Sequence, residues 1–472
     1  DEQILRAHPQ FTTINVTENY APTAKTEVQV TDTEGNPVKN ATVRFGLYNY
    51  AEFYSLYQVF SDSLGRASLI SGLGDMLVWA AEGGRYGFQK IRAGEKAVPQ
   101  RIVLNHKAGD AFNMELNIVP PPLGSNLVVA SAEEEAANNR RLAYEDSVRL
   151  AYVAGWPDDA KIREIADVLG YDADQLIPLF KKSEGNFLTL YDLLDAFNDE
   201  CTVNVGPVSK PQKELLLDML RNVSDKDLRD FDLDALANHM QGITDFLPAI
   251  APASLARLSE DDFLKYVVSP RIGDEMITPW RTLAWNYISA DEMSGFQKNP
   301  LQLVDWLNRH VRTQEGIYRR YICTSPESSL LNGYADSFSK GLCFVSLARS
   351  IGIPSRLDPV TLQFQYMLPE STGTEGESRW QKVDFAAQTA ASPTKQGEKH
   401  RLSLSYSPRR FMENPAYYRH FSLSRLDGGM PSLMNYDEDA TWEQKFNKGT
   451  EVDAGDYLLV SGNRISDGPV PV

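Results

Sequence analysis

Between residues 25 and about 104, apolar and polar positions alternate with period two in short runs: "TEVQV" at 26–30, "ATVRF" at 41–45 and "DMLVWAA" at 75–81. Side chains at i and i+2 share one face of a strand, so this rhythm predicts half-buried β-strands. "DTEGNP" at 32–37 and "DSLG" at 62–65 supply the turns between them, and the expected structure is an antiparallel sandwich. From 131 to about 280 the spacing of apolar residues changes to three and four, as in "RRLAYEDSVRLAYVAGW", "DDAKIREIADVLG" and "KPQKELLLDMLRNV". That spacing predicts helices, punctuated at Gly170, Pro207 and Pro211. "NPLQLVDWLNRHVR" at 299–312 predicts one more amphipathic helix, with Asn299 as its cap and Pro300 in its first turn. After His400 short β-like runs return, "FSLSRL" and "DYLLVSGNRI".

Between these regions lies a stretch that mixes both rhythms. "SPESSLLNGYADS" (325–337) leads into an apolar helix that ends in "RSIGIPSRLD" (349–358). An extended "PVTLQFQYML" (359–368), a loop rich in Gly, Ser and Glu, and "RWQKVDF" (379–385) follow. This order resembles the transglutaminase-like superfamily, as found in large multidomain bacterial proteins. The resemblance covers about a quarter of the chain, and "RSIGIPSR" is its most specific piece. It implies a cysteine-protease-like α+β core: a nucleophilic Cys after Gly-Asp at the start of a buried helix, then His and Asp from two later strands. The pair "VTDTEGNPVKNATVRF" and "FSDSLGRASLISG" resembles carboxypeptidase-regulatory-like and Ig-like modules, which implies a location outside the bacterial cytoplasm, in the periplasm or at the cell surface. The expected fold class is therefore multidomain: a β-sandwich (1–125), a helical domain (126–268), a transglutaminase-like core (269–396) and a C-terminal β segment (397–472).

Carried onto this chain, the family's nucleophile position falls on Ser337, the preceding Asp on Asp336 and the acid on Asp384. The strand due to bring the His offers only Thr361, Gln363, Gln365 and Tyr366, and no histidine lies between His310 and His400. Cys343 is no substitute, because six helical residues are about 9 Å of rise and roughly 240° of rotation. A thiolate at a helix N-terminus draws on the macrodipole and on unpaired N–H groups, and a serine hydroxyl without a base gains far less from them. The expected outcome is a retained fold without the family's chemistry, acting in peptide or glycan binding or in scaffolding. The alternative is an acyl-transfer enzyme or peptidase with a non-standard site, which a base near Ser337 would favour. A triad rebuilt with His310, His239 or His400 would be one form of it.

Each of these residues also has a plainer role. Asp336 and Ser337 stand where helix caps belong. Asp384 is placed to pair with Arg356 or Lys382, and Gln363, Gln365 and Tyr366 are ordinary strand residues. The aromatic run "LYNYAEFYSLYQVF" (47–60) packs across strands, or lines a sugar-binding groove of Tyr48, Tyr50 and Tyr54.

Composition narrows the partners. A formal net charge of −17 and no basic, aromatic-interleaved stripe argue against nucleic acid. No apolar run approaches the roughly 18 residues of a membrane helix. The chain opens on Asp1 without a leader, which suggests that something was removed upstream. Cys201, Cys323 and Cys343 are too few and scattered for a zinc site or a disulfide framework, so no metal or cofactor is expected. Oligomeric state is not legible.

Overall fold

A computed structural model describes residues 3–8, 11–94, 100–120, 130–314, 323–367, 379–386, 399–462 and 470–471. The chain folds as two compact units, one joining residues 1–128 to 397–472 and the other spanning 129–396. The helical stretch and the mixed stretch that follows it share the second unit.

The first unit contains a hairpin of β1 (Gln3–His8) and β2 (Phe11–Asn15). Its main strands are β3 (Thr23–Thr31), β4 (Thr42–Asn49), β5 (Glu52–Phe60), β6 (Arg66–Gly72), β7 (Gly74–Glu82), β8 (Arg85–Ala93), β9 (Gln100–Val103) and β10 (His106–Lys107). One sheet runs in the order β10-β8-β7-β4-β5, all antiparallel, and the other in the order β6-β3-β9, with β3 and β9 parallel. Alternate residues, among them Val28, Val30, Val43, Phe45 and Val78, are fully buried between the sheets, as the period-two pattern predicts.

β7 departs from that pattern because all eight residues from Gly74 to Ala81 are buried. Its second face, Leu77, Trp79 and Ala81, joins Tyr86 and is covered by Leu426, Met430 and Leu458. Those residues lie on or beside the C-terminal strands Phe421–Asp427, Met430–Leu433 and Tyr457–Ser461. Trp79 Nε1 donates to the Gly429 carbonyl at 2.8 Å, and Ser422 Oγ to that of Ala51 at 2.6 Å. A strand covered on both faces reads as a continuous apolar run, which accounts for "DMLVWAA".

In the second unit most helices open on an Asp or Ser cap; Asp158, Asp172, Ser224, Asp232, Ser259 and Ser289 all accept from first-turn N–H groups. Two details correct the sequence reading. The stretch around Pro207 and Pro211 is more than a separator: Thr202–Val205 and Val208–Pro211 form a hairpin whose turn holds Gly206 at φ +56°. The helix expected at 299–312 spans Leu301–His310, with Pro300 at the cap position; Asn299 lies one residue earlier and accepts from the Leu301 N–H at 3.2 Å.

The helix Ser337–Ser350 is the centre of this unit's second core, and every residue from Ser339 to Ser350 is buried. Leu342, Phe344 and Leu347 pack among Leu303, Trp306 and Tyr366. An antiparallel sheet of Ser355–Leu357, Phe364–Met367 and Trp380–Lys382 lies beside it. Helix and sheet come close at Gly341, where an added Cβ would sit 2.1 Å from the Phe364 ring. In an exposed helix Gly→Ala gains roughly 0.5–1 kcal/mol. Here Gly341→Ala should instead cost about 1–3 kcal/mol through overpacking, read as a lower urea midpoint; an unchanged midpoint would mean that the ring yields freely.

Candidate functional site

Asp336 caps the central helix. Its Oδ1 accepts from the N–H groups of Phe338 (2.9 Å) and Ser339 (3.0 Å), and its Oδ2 from Ser339 Oγ (2.6 Å). Ser339 Oγ in turn accepts from the Thr324 N–H at 2.9 Å. Ser337 occupies the first helical position rather than the cap, is exposed, and has no hydrogen-bond partner for Oγ among the described residues. The capping carboxylate thus takes two of the N–H groups that a thiolate or an oxyanion would draw on.

One turn along, Lys340 is 2% exposed. Its Nζ donates to Asn308 Oδ1 at 2.7 Å and to Thr313 Oγ1 at 3.2 Å, and lies 5.0 Å from the Phe385 ring centre. Asn308 Nδ2 donates to the Phe385 carbonyl at 2.9 Å, which fixes the segment after the last strand against the helix. Burial pulls the Lys340 pKa below the ordinary lysine value, with the Cys343 thiol acting weakly the other way. This group was invisible to sequence reasoning, since Asn308 and Thr313 lie on a separate helix and strand.

Asp384 is exposed and accepts from the Ala386 N–H at 2.9 Å, a bond within its own turn. The expected pairing with Arg356 does not form. Arg356 Nε donates instead to Gln365 Oε1 (2.9 Å) and Nη2 to Asp358 (2.8 Å), with the guanidinium 4.2 Å from the Trp380 ring centre. Gln365 and Tyr366 are buried, and desolvation pushes the Tyr366 hydroxyl up to about 12. Gln363 is half-buried and follows Leu362, whose φ of +53° is rare for a branched side chain. Thr361 is held by Asp358 Oδ1 through both its N–H and its hydroxyl, at 2.8 Å each. Leu368, the last residue of that expected strand, lies outside the described residues, as does most of the Gly-, Ser- and Glu-rich loop.

The "RSIGIPSR" segment is organised by Arg349. Its Nε donates to the Ser355 carbonyl (3.0 Å), and its Nη1 to those of Ser269 (2.8 Å) and Arg271 (2.7 Å). Full burial lowers its pKa to about 10, against the opposing field of Glu275. Gly352 makes the intervening turn at φ +79°, with Pro252 and Leu255 where a side chain would begin.

The histidines do not rebuild a triad. His239 is fully buried, with Nε2 2.9 Å from the Thr278 carbonyl and its ring edge-on to Trp280; desolvation holds its pKa well below the ordinary value. His310 is exposed and stacks on Trp306. His400 belongs to the other unit. Cys201, Cys323 and Cys343 are free thiols; Cys343 is buried and 3.9 Å from the Pro326 carbonyl. Among the described residues no group of His, Cys, Asp and Glu is arranged to hold a metal ion. Tyr48, Tyr50 and Tyr54 line no common groove: Tyr48 pairs with Phe53 while Tyr54 pairs with Leu47, and successive pairs in a ladder face opposite sides. No helix among the described residues is long and apolar enough to cross a membrane.

No family model matches the chain, and neither does any curated protein.

Two outcomes follow from the geometry. Arg349→Lys offers three rotating donors on a thinner head that cannot span carbonyls from three residues, and it should cost about 3 kcal/mol or more; a thermal midpoint equal to the parent's would remove its structural role. Burial pushes the Cys343 thiol from near 9 up to about 12. Above pH 9 the unfolded chain loses this proton while the folded chain keeps it, so the folded state binds more protons and stability falls as pH rises towards 12. Below pH 9 both states are protonated and the contribution vanishes. Urea midpoints measured from pH 8 to 11 should therefore decline less steeply in Cys343→Ala than in the parent.

Proposed function

We propose that residues 269–396 are a transglutaminase-like core within an extracytoplasmic bacterial protein, and that this core does not run the family's Cys–His chemistry. The observation that carries the reading is the start of the central helix: Ser337 holds the nucleophile position, Asp336 takes the N–H groups of Phe338 and Ser339, and neither His239 nor His310 bonds Ser337 or Asp384. A hydroxyl there lacks the thiolate that a helix N-terminus stabilises. The exposed surface around Ser337 is left for binding an extended peptide or glycan, and the surrounding modules for scaffolding. Negative net charge is compatible with either partner.

A second reading, acyl transfer through a non-standard site, has one observation in its favour. Lys340, a basic side chain, lies one turn from Ser337 and touches uncharged oxygens at Asn308 and Thr313.

The purified chain should incorporate no amine into glutamine peptides, and alkylating its thiols should change none of its activities. Ser337→Cys should remain inactive in the same assay, since a thiol alone lacks its base. Thiol-sensitive amine incorporation by the parent chain would overturn the reading. Retention on immobilised peptide or glycan arrays tests the binding half, and retention on neither class counts against it.

A further inference from the structure

We infer that β5 is a self-pairing edge: two copies of this chain join antiparallel along Phe53–Phe60, so that the five-stranded sheet continues from one copy into the next across a two-fold axis.

β5 ends its sheet and has β4 as its single neighbour there. Among the described residues, no hydrogen bond outside the ladder to β4 reaches the backbone of residues 53–60, so the outward row of N–H and C=O groups has no partner. Such a row is a template for another strand, and proteins blunt it with lysine, proline, a bulge or cover. The second sheet of the same unit has cover at its end strand β6. There the Ile70 N–H donates to Gln3 Oε1 at 2.8 Å, and the Ile70 carbonyl accepts from Asn15 Nδ2 at 2.6 Å. β5 has no such cover. Its run Phe53-Tyr54-Ser55-Leu56-Tyr57-Gln58-Val59-Phe60 contains no charge, proline or glycine. Tyr54, Leu56 and Phe60 are 46%, 42% and 54% exposed, so large apolar side chains flank the open row.

The pattern along the strand identifies the occupant. Phe53, Ser55, Gln58 and Phe60 stand opposite Tyr48, Gly46, Arg44 and Thr42 of β4 and share one face; Tyr54, Tyr57 and Val59 stand opposite Leu47, Phe45 and Val43 and share the other. A bulge makes the change of parity, because Leu56 has no residue opposite it on β4. Turned about an axis between Leu56 and Tyr57, the strand meets itself in kind. Phe53 faces Phe60 of the second copy, Tyr54 faces Val59, and Ser55 faces Gln58. Each pair joins residues of the same face, which in this register the bulge alone makes possible. Aromatic pairs, aromatic with β-branched pairs and hydrogen-bonding polar pairs are the combinations that stabilise a ladder.

Charge favours the same occupant. A cationic strand would find no carboxylate along residues 53–60, and any charged strand would lose water against apolar neighbours. Two copies at −17 each repel over most of their surface, but in this register the paired residues set no like charges opposite one another.

The test is sedimentation equilibrium of the full chain over a range of micromolar concentrations. The parent should reach twice its 52.8 kDa, and added salt should tighten the association by screening the acidic surfaces. Leu56→Lys places two like charges beside the axis and should weaken the association by about 100-fold or more, with the circular dichroism of the parent retained. Leu56→Glu should do the same, and an equimolar mixture of the two should associate again. Tyr54→Lys, away from the bulge, repeats the test should Leu56→Lys fail to fold. A parent that stays at 52.8 kDa in low and high salt overturns the inference, as does a dimer that both lysine variants leave intact. A monomeric parent that takes up a synthetic peptide of residues 53–60 would assign the edge to a foreign strand and overturn self-pairing as well.

Discussion

Two buried guanidinium groups meet on one carbonyl, and the second unit is built around that meeting. Arg349 and Arg281 both donate to the Ser269 oxygen, at 2.8 and 3.5 Å, and Arg281 also takes the carbonyls of Val267 and Val268. These oxygens end the short helical turn Leu264–Val268, where unpaired carbonyls carry negative partial charge. Each cation lowers its own pKa by desolvation, and Arg349 lowers that of Arg281 further. Burying a charge without a carboxylate is costly unless every donor finds an acceptor. Here the backbone supplies acceptors for both terminal nitrogens of Arg281 and for Nε and Nη1 of Arg349, while Arg281 Nε is buried without a partner, and Arg349 ties the end of the helical stretch to the segment after the central helix.

That joint sets where the first turn of the central helix lies relative to its sheet. Arg349 is anchored at the far end of the helix, and Gly341 lets Phe364 close against the near end. Ser337 and Lys340 are therefore carried on a rigid element whose residues from Ser339 to Ser350 are all buried. A side chain on such an element keeps its position without support of its own, which is the condition that precise chemistry or selective binding requires.

Much of the architecture was legible because single residues obey local rules. Val28, Val30, Val43 and Phe45 alternate because one sheet face is buried, and the run from Leu342 to Leu347 is apolar apart from Ser346 because the helix is surrounded. The hairpin at 202–211 was not legible, since Pro207 and Pro211 read as helix breaks when no strand partner is known. The site was half legible. Asp336, Ser337 and Arg349 lie in one motif, but Lys340 sits in an apolar run as an apparent intruder until Asn308 and Thr313 arrive from elsewhere. Arg356 and Asp384 were matched by charge, and the structure gives Arg356 to Asp358, a nearer carboxylate two residues along the chain.

The doubly covered strand β7 has a bearing on how the chain comes to be folded. Its inner face meets β3, β6 and β9, all synthesised early, but its outer face waits for Leu426, Met430 and Leu458. Residues 129–396 are thus a domain insertion within a discontinuous host. At about 5–20 residues per second of synthesis, Leu77 and Trp79 have only part of their cover, from Tyr86, Phe53, Phe88, Phe112 and Leu116, for on the order of tens of seconds while the insert emerges. During that interval the nascent host presents an apolar β surface, so the insert must fold without engaging it, and a chaperone that shields extended apolar strands would act on this host before its last strands arrive.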